Sequence, residues 1–155
     1  MKNRGFTIIE LMIVVSIIMI LGVVGMWGFK NRMYKDELLK LKTSIPTLLG
    51  NTTLRVYERG ITDAAIEVSS SSGISATGNQ IDSSNIAKIE SKRFNFETSP
   101  SGITNFPINS MGTFTREDFS IIVKDNKTNI TMLEFIIKSK TNLGVYSLTT
   151  SQSSF

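Results

Sequence analysis

A single glutamate, Glu10, stands at the head of nineteen residues, 11 to 29, that contain no ionisable side chain. At ~1.5 Å of rise per helical residue such a run reaches nearly across a hydrocarbon core of roughly 30 Å, so it is expected to lie in a membrane. A carboxylate left charged and unpaired there costs about 2.5 kcal/mol or more. Glu10 therefore calls for a partner, and the apolar run supplies none. A cut between Gly5 and Phe6 would create one, because the new amine would lie four residues before the carboxylate.

The run Lys2-Asn3-Arg4-Gly5-Phe6-Thr7-Ile8-Ile9-Glu10-Leu11 resembles the leader and processing site of class III signal peptides, as found in type IV prepilins and type II secretion pseudopilins. The resemblance implies that prepilin peptidase cleaves after Gly5 and methylates Phe6. It implies for Glu10 an assembly role, in which the carboxylate pairs with the terminal amine of a neighbouring subunit. Other pilin or pseudopilin subunits and an inner-membrane assembly platform are the implied partners. The competing reading is an ordinary secretory signal, with Val23-Val24-Gly25 as a cleavage region, or a plain single-span anchor. An ordinary h-region of about 7 to 15 residues gains nothing from an acid near its start, and Glu10 argues against it.

Orientation is not fixed by charge, since Lys2 and Arg4 before the span are answered by Lys30, Arg32 and Lys35 after it. By resemblance the amino end faces the cytoplasm and the remainder is translocated. The implied location is a single-pass cytoplasmic membrane protein, then a cell-surface pilus or a periplasmic pseudopilus. The formal net charge is +4, but its distribution is uneven. Residues 30–59 carry seven Lys or Arg against three acids, and residues 60–155 carry eight against nine. The basic excess beside the span suits contact with anionic membrane lipid before assembly. It does not suit a nucleic-acid interface on the distal domain.

The expected organisation is a leader at 1–5, a transmembrane and assembly helix at 6–29, an amphipathic helix at 30–59 and a β-rich head at 60–155. The fold class is α+β, a long amino-terminal helix packed on a small antiparallel sheet, as in pilins. Met33, Tyr34, Leu38, Leu41, Ile45, Leu48 and Leu49 recur at three- and four-residue steps and make an apolar stripe. Pro46 is expected to bend or break this helix, which should end near Gly50 or Gly60. Gly22, Gly25 and Gly28 have two readings, close packing between membrane helices or local softness of the helix.

Beyond the helix, Ser, Thr, Asn and Gly separate short β-branched and aromatic runs. Strands are expected at 64–68, 87–90, 93–97, 119–124, 130–138 and 144–148. Asp125-Asn126-Lys127-Thr128-Asn129 is the clearest hairpin turn, flanked by the alternating Ile121 and Val123 and by Leu133, Phe135 and Ile137. Loops are expected at 69–73, 98–102 and 105–112. The order Phe94-Asn95-Phe96, Ser101-Gly102-Ile103, Gly112-Thr113-Phe114 and hairpin is similar to minor pseudopilins of the H class. With no cysteine and the tail Thr149-Thr150-Ser151-Gln152-Ser153-Ser154-Phe155, the chain departs from major pilins with a paired-cysteine loop and from major pseudopilins with a calcium-binding acid cluster. Both departures imply a minor subunit.

Catalysis is not expected. The chain has no histidine and no cysteine, which removes the usual zinc sites and His-based triads. Asp36-Glu37 and Glu117-Asp118 are adjacent pairs whose side chains diverge. No cofactor is expected, and Asp125 is explained by turn chemistry. Asn51-Thr52-Thr53, Asn126-Lys127-Thr128 and Asn129-Ile130-Thr131 match a glycosylation sequon of low specificity. A second functional class is a filament-borne module for adhesion or DNA uptake. It would need Lys88, Lys92, Arg93, Lys138 and Lys140 gathered into one strip.

Overall fold

The computed structural model describes residues 7–71, 73–79, 81, 88–116, 118–139 and 146–152. The chain forms two compact units, Met1–Leu39 and Lys40–Phe155. One helix, α1 (Ile8–Arg59), contributes to both. In the first unit the described large apolar residues from Ile8 to Phe29 are exposed, from 42 % at Val15 to 82 % at Ile8, and Leu38 of the expected stripe is buried. The best 18-residue window has a mean hydropathy of 2.8 and is 0 % buried, so this stretch is long and apolar enough to cross a membrane.

In the second unit α1 has two different sides. Leu41, Ile45, Leu48, Leu49 and Val56 are buried, and so is Thr52, whose hydroxyl donates to the Leu48 carbonyl at 2.7 Å. The three- and four-residue spacing thus gives the expected stripe, continued by Thr52 and Val56 beyond the residues first expected. Met33, at the start of that expected stripe, is 46 % exposed. The helix runs on through Pro46 and Gly50 without a break. Its end is a Schellman turn: the Gly60 amide donates to the Tyr57 carbonyl at 3.4 Å and the Ile61 amide to the Val56 carbonyl at 3.1 Å. Gly60 takes φ +63° there, and Ile61 and Val56 are both buried. This is the hydrophobic contact that usually accompanies such a cap.

Seven strands follow: β1 (Ala64–Ser69), β2 (Gly73–Thr77), β3 (Phe94–Ser99), β4 (Asn105–Ile108), β5 (Phe119–Asp125), β6 (Thr131–Ser139) and β7 (Tyr146–Gln152). They make two antiparallel sheets, β2-β1-β4 and β3-β5-β6-β7. Alternation places Phe94 and Phe96, then Ile121 and Val123, then Leu133, Phe135 and Ile137 in the core. Phe106 of β4 stacks on Phe119 of β5 with ring centroids 4.0 Å apart, and Phe114 meets Phe119 edge-on at 5.1 Å. This aromatic cluster ties one sheet to the other.

The hairpin expected at 125–129 joins β5 to β6. Asp125 Oδ1 accepts from the amides of Lys127 and Thr128, both at 2.9 Å, and from the Thr128 hydroxyl at 3.1 Å. Asn129 has φ +55°, the left-handed geometry that asparagine tolerates. A register shift beside Val123 and Lys124 leaves Met132 as the extra residue of a bulge, and it is buried with Leu133.

Several expected strands need correction. Residues 87–90 form only an isolated bridge, Ile89 to Ile74, with residue 87 outside the described set. The last strand is Tyr146–Gln152 and not 144–148, since its pairing with β6 reaches Leu133↔Gln152. The expected loop at 105–112 contains β4, and the run after the 69–73 loop contains β2. Pro107 hid β4, but β4 is the edge of its sheet, paired with β1 on one side and joined on the other only by the isolated bridge Ile108 to Phe114, and tolerates the missing amide. The Pro107 carbonyl accepts from the Thr115 amide at 3.0 Å.

Between β4 and Phe114, the loop around Met111 is held by Asn109, whose Oδ1 accepts from the amides of Met111 and Thr113 at 3.1 and 3.0 Å. The loop lies against α1 so closely that a Cβ on Gly112 would stand 2.6 Å from the Thr53 carbonyl oxygen. Gly112 and Gly60 have similar φ, +74° and +63°, but a Cβ on Gly60 would meet nothing. Alanine at either site costs about 1–2 kcal/mol for left-handed geometry. Gly112→Ala carries a backbone clash in addition, so it should lower the Tm of the full chain in detergent by clearly more than Gly60→Ala; equal losses would contradict the close approach.

Candidate assembly site at the head of the helix

Thr7 and Glu10 form a reciprocal pair at the start of α1. The Thr7 amide and hydroxyl donate to Glu10 Oε2 at 2.9 and 2.8 Å, and the Glu10 amide donates to the Thr7 hydroxyl oxygen at 3.4 Å. This is a capping box: Thr7 is the N-cap, Glu10 the third helical residue, and each side chain satisfies an amide left over at the helix end. The sequence Thr-x-x-Glu signals it directly, and Thr7 supplies neutral hydrogen bonds and not the cation that Glu10 calls for. The helix amino end also favours an anion electrostatically.

Hydrogen bonds from neutral groups orient the carboxylate without cancelling its charge. The demand for a cation therefore remains. Gly5 and Phe6, the expected cleavage and methylation residues, lie outside the described residues. Thr7 and Glu10 are both downstream of that bond, and the carboxylate is held toward the end of the chain at which the new amine would arise.

Gly22, Gly25 and Gly28 lie on the exposed part of α1, and a Cβ at any of them would have no neighbour within 4 Å. Nothing in the single chain accounts for three glycines there by contact. Pro46, half-buried, sits inside the continuous helix.

The basic residues considered for nucleic acid are not gathered. Lys92 and Arg93 precede β3, whose Phe94 stands opposite Asp125 of β5, whereas Lys138 is near the far end of β6, beyond Ile137 and its partner Phe119. Six to eight strand residues at ~3.3 Å each separate them, on the order of 20–25 Å. Lys88 pairs with Glu90 at 2.7 Å, and the hydrogen bond and charge of Lys88 hold the Glu90 carboxyl below its ordinary value. Lys140 is outside the described residues. Lys124 pairs with Glu97 at 2.6 Å. Among the described residues no group of three or more His, Cys, Asp or Glu is placed to hold a metal ion.

No curated protein and no solved structure matches the chain. Residues 1–26 match the family model of the prokaryotic N-terminal methylation motif. With the apolar helix and its capped glutamate, the match shows that the chain begins with a type IV pilin-like class III signal peptide.

Proposed function

We propose that the chain is a minor pilin or pseudopilin, a structural subunit of a type IV pilus or a type II secretion pseudopilus. Prepilin peptidase cleaves it after Gly5 and methylates Phe6. The processed subunit waits in the cytoplasmic membrane, in contact with lipid and the assembly platform, and enters the filament by packing its helix against those of other subunits. The observation that carries this reading is the methylation motif at residues 1–26 on a helix whose apolar surface the chain leaves uncovered. The role is structural and not catalytic. Minor status rests on the missing cysteine pair and on the tail Thr149-Thr150-Ser151-Gln152-Ser153-Ser154-Phe155, which carries no acid cluster. A DNA-binding role is disfavoured by the separation of the basic residues.

In assembly, Glu10 gives its charge to the terminal amine of a neighbouring subunit while Thr7 holds the carboxylate in place. The capping box makes this testable. Glutamine serves the cap as glutamate does but carries no charge. Glu10→Ala and Glu10→Gln should both insert in the membrane, be processed, and lose incorporation into sheared filaments or pseudopili by a similar factor. If Glu10→Gln assembled normally while Glu10→Ala did not, the capping bond and not the charge would be the requirement. The processing step is tested by the amino-terminal mass of the protein from cells with and without prepilin peptidase. A peptidase-dependent start at methylated Phe6 is expected; cleavage after Gly25, or none, would return the chain to a plain exported or anchored domain.

A further inference from the structure

On the face of the β3-β5-β6-β7 sheet turned away from the core lies a cavity of about 290 Å³, with Ser99, Pro100, Asp118, Ser120, Glu134 and Ile136 among its lining residues. Ser99, Ser120 and Ile136 form one row across β3, β5 and β6, and they point away from the buried Phe119, Ile121 and Ile137. Ser120 is only 7 % exposed, yet its hydroxyl has no hydrogen-bond partner among the described residues. Among those residues no fully buried side-chain oxygen lacks a partner, so this hydroxyl still opens on the cavity. Its bonding capacity is directed there.

Asp118 and Glu134 stand toward opposite ends of the cavity. Glu134 is opposite Ile122 of β5, and Asp118 lies four residues before Ile122. At ~3.3 Å per residue and ~4.8 Å between strands, their Cα atoms are roughly 14 Å apart. Side chains that lean inward bring the two carboxylates to on the order of 8 Å, with Ser120 between them. Neither carboxylate joins the ion pairs Lys88 with Glu90 and Lys124 with Glu97, and neither has another partner among the described residues. Lys138, the next outward residue after Ile136, is exposed and does not line the cavity.

We propose that this cavity binds a guanidinium, the arginine side chain of a partner polypeptide, with Asp118 and Glu134 accepting at its two edges and Ser120 accepting between them. The separation selects the cation. Two bonds of ~2.8 Å to one nitrogen bridge less than about 6 Å, so an ammonium reaches one carboxylate at a time. A guanidinium adds roughly 2 Å between its outer nitrogens and bridges about 8 Å in one plane, with a further N–H left for Ser120. Ile136 and Pro100 offer apolar surface to its planar face and aliphatic stem, which the more strongly hydrated ammonium uses less well. The site uses head residues only, so it goes beyond the filament reading and does not depend on it.

The test is an NMR titration of the full chain in detergent micelles, with N-acetylargininamide as the probe and N-acetyllysinamide as its match in charge. The arginine probe should shift the amides of Asp118, Ser120 and Glu134 at millimolar concentration, and the lysine probe should bind several-fold less tightly. Asp118→Asn and Glu134→Gln should each weaken the arginine probe about fivefold to tenfold, the effect of losing one charge-assisted bond. Ser120→Ala should weaken it about threefold, with the rest of the spectrum unchanged. Equal affinity for the two probes, or arginine-induced shifts that survive both acid substitutions, would overturn the proposal. If a variant loses the dispersed spectrum of the head, the two probes compared on the native chain still decide. Shifts of the same amides on raising protein concentration without probe, lost in Asp118→Asn, would place the arginine on a second copy of the chain; their absence, with the arginine probe bound, would place it on a different polypeptide.

Discussion

The hydrogen bonds between Thr7 and Glu10 meet the bonding needs of a carboxylate without meeting its electrostatic need. In water that distinction would matter little, because solvent screens the remaining charge. At the head of nineteen uncharged residues it decides the behaviour of the chain, since an ion in a poor dielectric is stabilised by a counter-ion far more than by neutral donors. The same segment leaves its whole apolar surface to its surroundings. Lipid covers that surface as well as protein does, so burial alone gives no reason to leave the bilayer. On the filament reading the uncancelled charge would give such a reason, which sets one acid at the start of the helix apart from the rest of the segment.

The head is built on a different principle. Without cysteine, its order comes from a dense apolar interior: the stripe of α1, the inward rows of β3, β5 and β6, and the Phe106, Phe114 and Phe119 cluster that joins the sheets. Polar groups serve this order locally. Asp125 is spent on its own turn and Asn109 on its own loop, so neither is an idle acceptor awaiting a ligand. Lys124 is likewise held by Glu97. Such local use of polar side chains suits a domain without disulfides, where stability must be reached by packing alone.

The legible parts of the sequence were those with a strong period or a specific motif. The stripe from Leu38 to Leu49 and the alternation in β5 and β6 announce their elements, because burial on one side forces the pattern. The strands that escaped lie at edges or in polar runs. In β4, Asn105 and Pro107 alternate with the buried Phe106 and Ile108, and only the pairing with β1 shows that proline is tolerated. In β2, the sequence Gly-Ile-Ser-Ala-Thr is too small and polar to stand out, and its strand character is imposed by β1. At the candidate site, Glu10 was evident from its misplaced charge. Thr7 was not, because its significance lies in a local bond with a residue three positions on. The scattering of Lys92, Arg93 and Lys138 could be learned only from the register of β3, β5 and β6.

Both halves of the capping box, Thr7 and Glu10, lie downstream of the bond after Gly5. On the proposed reading, removal of the leader adds a positive charge next to a helix end whose capping residues both remain in the chain. If the proposed cleavage occurs, a precursor of this kind would stay unpaired while its amine is locked in a peptide bond and would gain its charge partner on cleavage. Activation of the subunit is, on that reading, a change of charge on a finished scaffold, timed by the peptidase.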